Sequence, residues 1–246
     1  MRRSPFPSSR RHLRWVGVLT LALLSAGCHT GRLRPLEPLP HSAAAALRER
    51  CYEVFPARPW EAVHVIEVTL PMSHETALLG AVRAAPRGDE FRSVLMTQEG
   101  LVLFDASAAA GRIDVHRAVP PFDREGFGEG MVADIRLVLF APTTNPAEVG
   151  RDVMGVPTCR WLEGPETIEV RLASMETELR RLDGHDRELR SAHLHGIDDC
   201  GFAETIELSA PGKLGYDLRM VLVQRSSDAC GAETDEGEPA DQVAHD

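Results

Sequence analysis

Apolar and polar residues alternate along much of the chain with a period of two. In Glu166–Leu172, the side chains of Ile168 and Val170 fall on one side and those of Glu169 and Arg171 on the other. Successive residues of a strand face opposite sides of a sheet. The alternation therefore predicts half-buried antiparallel strands.

Further strands are predicted along the rest of the chain. The segment Phe91–Phe104 has the pattern of a hairpin, with Gly100 supplying the positive φ that its turn needs. The other candidates are short apolar runs between turn residues: Val63–Leu70, Thr76–Val82, Arg112–Val119, Thr177–Leu182, Leu189–Leu194, Thr205–Ser209 and Tyr216–Leu222. Together these make about ten strands, enough for one large sheet.

One segment in the middle of the chain departs from this pattern. Phe127, Met131 and Ile135 recur at the spacing of a helical face, and Pro142 ends the run. The Asn-Pro pair that opens 145–153 predicts a second, brief helix. Strands before and after a central helix predict a mainly β fold (α+β), a curved antiparallel sheet whose concave face is covered by a helical lid. Plain core packing explains the apolar helix face equally well.

The first 27 residues predict an export signal. Five arginines and no acidic residue precede an apolar run of about a dozen residues, whereas a bilayer span needs about 20. Leu24–Cys28 resembles the bacterial lipobox, in which small residues precede a cysteine that receives a diacylglycerol and becomes an acylated N-terminus, for example with palmitate. Cys28 is therefore the predicted lipid attachment. An ordinary secretory signal with a chance cysteine is the alternative.

The remaining chain divides into three predicted parts. Residues 28–58 comprise the lipidated N-terminus, a proline-punctuated tether and a short helix that Ser42 could cap. Residues 59–226 are expected to form the folded domain. Residues 227–246 are acidic and lack aromatic residues, which predicts a disordered tail.

The charge balance excludes some partners. The formal net charge is −10, and removal of residues 1–27 with their five arginines changes it to −15. Nucleic acids and anionic headgroups both require a basic surface. We therefore expect no nucleic-acid partner, and membrane attachment must come from the lipid on Cys28.

The other four cysteines fit an oxidising compartment. Cys51, Cys159, Cys200 and Cys230 form an even set without CxxC spacing, which favours disulfides over metal ligation or catalysis. Four cysteines allow three pairings. We expect Cys51 to pair with Cys230 and Cys159 with Cys200.

Candidate catalytic and metal sites are few. His193 and His195 share one face of a predicted strand, and Asp198 and Asp199 lie close by. A zinc site needs three or four converging ligands, so a solvated strand end is the simpler interpretation. The sequence contains no Gly-x-Ser-x-Gly motif. We therefore predict no catalytic residue, no metal, no cofactor and no enzymatic activity.

The order of these elements resembles the LolA/LolB family of bacterial lipoprotein-localisation factors, and more closely a group of uncharacterised outer-membrane lipoproteins of that type. The similarity covers roughly Val63–Arg225. It rests on the hairpin Ser93–Phe104, the helix Ala133–Pro142 and the late strand pair Glu204–Leu222. The resemblance implies an unclosed β-barrel with a helical lid, an apolar cavity for acyl chains of a lipoprotein, and a lipid anchor. LolB-like receptors carry an exposed leucine between the hairpin strands, where this chain has Thr97–Gly100 with an acidic residue.

The predicted function is that of a membrane-anchored periplasmic lipoprotein, placed at the outer membrane, that binds acyl chains or a lipidated partner. His29, rather than aspartate, after the lipidated cysteine favours the outer membrane. The alternative is a structural or docking lipoprotein whose sheet is filled by its own core. Unfilled apolar volume beneath Phe127–Phe140 would discriminate the two. Seven residues are candidates to line such a cavity: Val94, Met96, Phe104, Met131, Ile135, Leu139 and Met220.

Overall fold

The computed structural model describes residues 33–57, 59–69, 76–85, 90–211 and 215–227. Contacts divide the chain into residues 1–33 and 34–246, and every described helix and strand belongs to the second unit. In chain order these are β1 (Glu37–Pro38), α1 (His41–Glu53), β2 (Trp60–Thr69), β3 (Thr76–Ala84), β4 (Phe91–Met96), β5 (Val102–Ala109), β6 (Arg112–Ala118), α2 (Phe127–Leu139), β7 (Glu148–Arg151), β8 (Pro157–Glu163), β9 (Glu166–Leu172), β10 (Thr177–Leu182), β11 (Glu188–Ile197), β12 (Ala203–Ala210) and β13 (Tyr216–Ser227).

The described strands form one curved antiparallel sheet in the order β1-β7-β8-β9-β10-β11-β12-β13-β2-β3-β4-β5-β6. Its end strands, β1 and β6, are not paired with each other, so the sheet is open. Helix α1 packs against β7, β8 and β9, and α2 against β6, β10 and β11. The predicted fold, a mainly β curved sheet with a helical lid, is confirmed. None of the described helices has the length and apolar character needed to cross a membrane.

Two local predictions were wrong. Residues 145–153, predicted as a brief helix, contain β7, because pairing with β1 on one side and β8 on the other satisfies its backbone groups as a strand. Ser42 does not cap α1. The helix already begins at His41, so Ser42 lies inside it, and Pro40 stands at its N-cap without a side-chain hydrogen bond.

Strand β8 is buried on both faces. Thr158, Cys159, Arg160 and Trp161 are each at most 7% exposed. A strand covered on both sides does not alternate between apolar and polar residues. The sequence pattern therefore gave no prediction for this strand.

The core lies on the concave face and is closed at one end by aromatic rings. Trp60 packs against Phe140 and Phe202 with ring centroids 5.5 and 5.8 Å apart, and Phe91 packs against Phe140 at 5.0 Å. Phe140 directly follows α2, so these contacts fix the end of that helix against β2 and β4. Each ring buries a large apolar area, and tilted or edge-on pairs such as these add a further 0.5–1.5 kcal/mol, roughly.

The convex face carries ion pairs across β8, β9 and β10. Glu169, 2% exposed, accepts hydrogen bonds from Arg160 (Nε to Oε1, 2.6 Å) and Arg180 (Nη1 to Oε2, 3.2 Å). Arg160 also donates to the Glu148 carboxylate at 3.0 Å. Buried charges are tolerated only when they are paired and hydrogen-bonded. This network meets that condition.

The segment Arg34–Pro38 crosses the convex face, and we call it the strap. The Arg34 carbonyl accepts a hydrogen bond from Arg160 Nη1 at 2.7 Å, and Glu37 and Pro38 pair with β7. The strap passes over Gly150, where a Cβ atom would lie 2.3 Å from the Glu37 carbonyl oxygen. The proline-rich segment predicted as a tether is thus docked on the sheet from Arg34 onward.

The predicted disulfide pairing was wrong. Cys51 of α1 is bonded to Cys159 of β8, with their Cα atoms 6.5 Å apart. Helix α1 lies directly on β8, so these two cysteines face each other, a proximity that sequence spacing does not reveal. Cys200 is also disulfide-bonded, and Cys230 lies outside the described residues. The bond joins α1 covalently to the concave face.

Candidate functional site: a cavity beneath α2

Helix α2 lies across the concave face of the sheet. It begins after Gly126, whose φ of 83° is a conformation that a glycine adopts without strain. At this end the Phe127 ring packs edge-on against Phe104 and Phe122, with centroids 5.1 and 5.3 Å away. The apolar residues that predicted the helix therefore face the sheet.

A cavity of about 80 Å³ lies between α2 and the sheet. Its wall is formed by α2 on one side and by β2, β3, β4, β12 and β13 on the other. The lining residues are His64, Ile66, Gly80, Ala81, Val82, Ser93, Val94, Leu95, Met131, Asp134, Ile135, Val138, Leu139, Ile206, Leu218 and Met220. Most of these side chains are apolar, so the cavity suits hydrocarbon.

Five of the seven candidate residues line this cavity: Val94, Met131, Ile135, Leu139 and Met220. Phe104 does not, because it packs with Leu78, Leu95 and Ala106 in a separate cluster under the start of α2. Met96 is also absent from the lining. It lies at the end of β4, where the register with β5 shifts.

Three polar residues of the cavity wall were missed by the sequence analysis. His64, Ser93 and Asp134 are 4%, 3% and 7% exposed. His64 and Ser93 occupy inward positions of strands that were predicted, so extending the two-residue period along β2 and β4 would have found them. Hydropathy alone passed over them because it selects only apolar side chains.

His64 is neutral in this setting. Burial without a compensating anion lowers the pKa of its imidazole to about 4. The ring therefore presents one N–H donor and one acceptor nitrogen at neutral pH. Ser93 Oγ is buried without a hydrogen-bond partner. The cavity wall thus combines hydrocarbon with two uncharged polar groups.

Asp134 fastens the middle of α2 to the sheet. Its carboxylate accepts short hydrogen bonds from Arg190 Nε of β11 and from the Tyr216 hydroxyl of β13. Burial raises the pKa of Asp134, although both partners oppose the rise. Burial and the adjacent carboxylate also raise the pKa of Tyr216. We call these three residues the latch, because they form a polar attachment of the lid helix.

His193 and Asp198, which lie close together in the sequence, have separate partners in the structure. His193 Nδ1 lies 3.5 Å from the Glu176 carboxylate, while Asp198 accepts hydrogen bonds from the backbone N–H groups of Cys200 and Phe202 at 2.9 Å. Within the described part of the chain, no group of three or more His, Cys, Asp or Glu residues converges on one point.

A serine and a histidine meet on the convex face near the β6 edge. Ser107 Oγ lies 2.9 Å from His116 Nε2, and Asp114 lies 4.0 Å from His116 Nδ1. Catalytic triads require a buried carboxylate that holds the imidazole by a hydrogen bond. Asp114 is too distant for that bond and its side chain is 81% exposed. Ser107 and His116 are therefore interpreted as a hydrogen-bonded pair on the surface, with the Asp114 carboxylate nearby.

The β4–β5 turn is longer than predicted. Val102 is the first residue of β5, so Leu101 belongs to the turn, and it is 56% exposed. An exposed leucine therefore follows Glu99 and Gly100 in this turn. The sequence pattern predicted Leu101 as part of the strand.

Searches against known proteins gave matches of fold only. No protein-family model matches the chain, and no curated protein matches it. A LolA superfamily protein from Nitrosomonas europaea is similar over 75% of this chain and 93% of its own, at 13% identity and a TM-score of 0.49. A DUF1329 family protein from Desulfovibrio piger is similar over 79% of this chain and 96% of its own, at 10% identity and a TM-score of 0.40.

A third solved structure is an outer membrane lipoprotein-sorting protein domain from Vibrio parahaemolyticus. It matches 78% of this chain and 94% of its own, at 8% identity and a TM-score of 0.29. Identities and TM-scores this low say nothing about a ligand, so the ligand has to be inferred from the residues of this chain.

Proposed function

We propose that this chain is a bacterial envelope lipoprotein, anchored to the outer membrane by acylated Cys28, that binds an acyl chain of a lipid or lipidated protein beneath α2. In this proposal residues 1–27 are removed as a signal peptide and 59–226 form the binding domain. The role is one of binding, without catalysis.

The observation that supports acyl binding is the cavity itself. One helix closes it, and hydrocarbon side chains form most of its wall. An apolar ligand needs such a wall and gains free energy from leaving water, at about 25 cal/mol per Å². The two methionines, Met131 and Met220, are flexible and polarizable side chains that adapt to chains of different shape.

Acyl binding requires α2 to move outward. The cavity of about 80 Å³ is smaller than the 300–1,000 Å³, roughly, of sites that enclose a small molecule. Gly126, at the N-cap of α2, tolerates backbone rotation, and the latch is polar and reversible. Ligand entry would thus open the latch while Phe140 stays packed against Trp60.

The small volume also supports a second candidate. A sheet filled by its own side chains needs no ligand, and the protein would then be a structural or docking lipoprotein of the envelope. In that case α2 is simply part of the core, as apolar helix faces usually are.

Native mass spectrometry separates these two functions. The mature domain with Cys28→Ser is purified from periplasm and examined for co-purified lipid. Val138, 3% exposed and part of the cavity wall, is replaced by phenylalanine to fill the cavity. Val132→Ala is the matched control, because Val132 is 5% exposed on the same helix but does not line the cavity.

A bound acyl species in the Cys28→Ser protein and in Val132→Ala, lost in a folded Val138→Phe variant, supports the cavity as its site. Near-ultraviolet circular dichroism verifies that the variants are folded. A ligand-free mass for all three proteins, together with no uptake of added diacylglycerol or phospholipid, would favour the structural lipoprotein.

A further inference from the structure

Large apolar side chains project from two turns at one end of the sheet. Val153 and Met154, in the β7–β8 turn, are 67% and 79% exposed, and Met175, in the β9–β10 turn, is 90% exposed. We call these three residues the apolar tip. Single exposed apolar residues are common on protein surfaces, but a cluster of them marks an interaction site.

Several hydrogen bonds fix the backbone of the β7–β8 turn. Asp152 Oδ1 accepts hydrogen bonds from the backbone N–H groups of Met154 and Val156, both at 2.8 Å. Gly155 has a φ of 78°, and its carbonyl accepts a hydrogen bond from Arg151 Nη1 at 2.7 Å. These bonds hold the backbone of the turn, so Val153 and Met154 are displayed to solvent by a fixed loop.

The two turns belong to one bonded unit. Arg171, at the end of β9, donates from Nε to Asp152 Oδ2 at 3.0 Å and also forms an ion pair with Glu178 of β10. Met175 lies in the turn between Arg171 and Glu178. Because β8, β9 and β10 are neighbours, the β7–β8 and β9–β10 turns emerge side by side. The apolar tip is therefore a single surface.

The N-terminal anchor brings this surface within reach of a membrane. Arg34 lies six residues after Cys28, so its distance from the acylated residue is at most about 20 Å. The strap fixes Arg34 beside Arg160, and Val156, where the turn meets β8, is four residues, or about 13 Å, from Arg160 along the strand. A domain tethered this closely cannot lift its tip far from the lipid surface.

We propose that the apolar tip inserts into the interface of the bilayer that holds Cys28. This inference rests on the lipid anchor of the proposed function. The tip offers valine and methionine side chains for the acyl region, and Arg151 is exposed at the base of the same turn, where it can meet a lipid phosphate. Acylated Cys28 holds only the end of the chain at the membrane, so a second, apolar contact adds to the anchor and orients the domain.

Tryptophan fluorescence in vesicles tests this orientation. The lipidated protein is reconstituted in vesicles of phosphatidylethanolamine and phosphatidylglycerol, with or without brominated acyl chains, as Met154→Trp and Met175→Trp variants. Leu162→Trp is the matched control, because Leu162 is 63% exposed near the end of β8, at the opposite end of the sheet. Trp60 and Trp161 are buried and serve as background.

We expect blue-shifted emission and at least twofold quenching by brominated lipid at positions 154 and 175, and neither effect at 162. Unquenched emission at 154 and 175 in vesicle-bound protein with acylated Cys28 would overturn the inference and leave the proposed function intact. Equal quenching at 162, or a blue shift in solution that grows with protein concentration, would also overturn it. If mass spectrometry finds no lipid on Cys28, the anchor of the proposed function fails and the inference with it.

Discussion

His64 shows how one residue can make stability depend on pH. A buried histidine that stays neutral avoids the cost of burying a charge at neutral pH, but it must be charged or expelled in acid. The pKa is about 4 in the folded protein against 6.5 in the unfolded chain. The unfolded state therefore binds more protons between these values, and stability is present above pH 6.5 and lost as the pH falls toward 4.

We therefore expect the free energy of unfolding to fall by about 2 kcal/mol between pH 7 and pH 5 through His64. Urea denaturation at the two pH values measures this loss. His64→Leu should abolish most of the difference. His185→Gln, at an exposed turn position, is the control and should leave the difference between the two pH values unchanged. If the wild type and His64→Leu lose the same free energy of unfolding between pH 7 and pH 5, the prediction is contradicted.

Ser93 illustrates the cost of a polar group without a partner. Its Oγ is buried in the cavity wall and makes no hydrogen bond. An unsatisfied buried hydroxyl costs about 1–3 kcal/mol. Ser93→Ala should therefore stabilise the domain, by about 1 kcal/mol after some packing is lost. Urea denaturation tests this, with Ser107→Ala as the control, because that hydroxyl is hydrogen-bonded to His116. A clear loss of stability in Ser93→Ala would contradict the expectation.

At the scale of elements, α2 and α1 are held by different kinds of bond. The latch attaches α2 through hydrogen bonds to one buried carboxylate, whereas a disulfide attaches α1. Hydrogen bonds can open and close while the rest of the domain stays folded. Exchange of backbone amide hydrogens should therefore be faster in α2 than in α1.

Tyr216→Phe should loosen α2 selectively. It removes one donor to a buried, charged acceptor, which costs about 1.5–3 kcal/mol. We expect hydrogen exchange to become faster at residues 127–139 and to stay unchanged at residues 41–53. Tyr52→Phe is the matched control, because Tyr52 belongs to α1 and its hydroxyl donates a hydrogen bond to the Thr144 carbonyl at 2.7 Å. Equal acceleration of both helices in Tyr216→Phe would show that the latch does not act locally.

The Cys51–Cys159 bond spans 108 residues of sequence. Closing a loop of this size restricts the unfolded chain, and loss of a native disulfide typically costs about 2–5 kcal/mol. The double variant Cys51→Ala with Cys159→Ala should therefore lose stability of this order in denaturant and release α1 to rapid exchange. Slow exchange at 41–53 in that variant would mean that packing alone holds the helix.

How well each strand was predicted depended on which of its two faces are buried. The bounds of β9 and β10 were predicted correctly, because their residues alternate between a buried core and a charged face. Strand β8 gave no such signal, since Arg160 is buried in an ion pair on the other face. Strand β7 was taken for a helix because the Asn-Pro pair before it marks helix starts and because four residues are too few to show a period.

The cavity was predictable only in part, for a similar reason. Its apolar wall followed from hydropathy on α2 and β13, but the register of β4 with β5 decides that Phe104 lies outside it. The roles of His64 and Asp134 depend on contacts between strands far apart in sequence. The disulfide pairing depends on such contacts as well, so spacing could not predict it.

At the scale of the whole molecule, a second covalent link is expected. Cys200 is disulfide-bonded, and Cys51 and Cys159 are bonded to each other. If Cys28 carries lipid, Cys230 is the remaining cysteine of the sequence. Peptide mapping without reduction should therefore find Cys200 linked to Cys230. A Cys200–Cys28 peptide would contradict both this pairing and the acylation of Cys28.

If Cys28 is acylated as proposed, the strap determines how the domain responds to a pull on that anchor. Tension arriving through residue 33 acts first on the strap and on β1, whose two residues make only a short contact with β7 and would peel away one bond at a time. The load then reaches α1 and stops at the covalent Cys51–Cys159 bond. Force on the anchor therefore acts at the end of the sheet formed by β1 and β7, and little of it reaches α2 and the cavity.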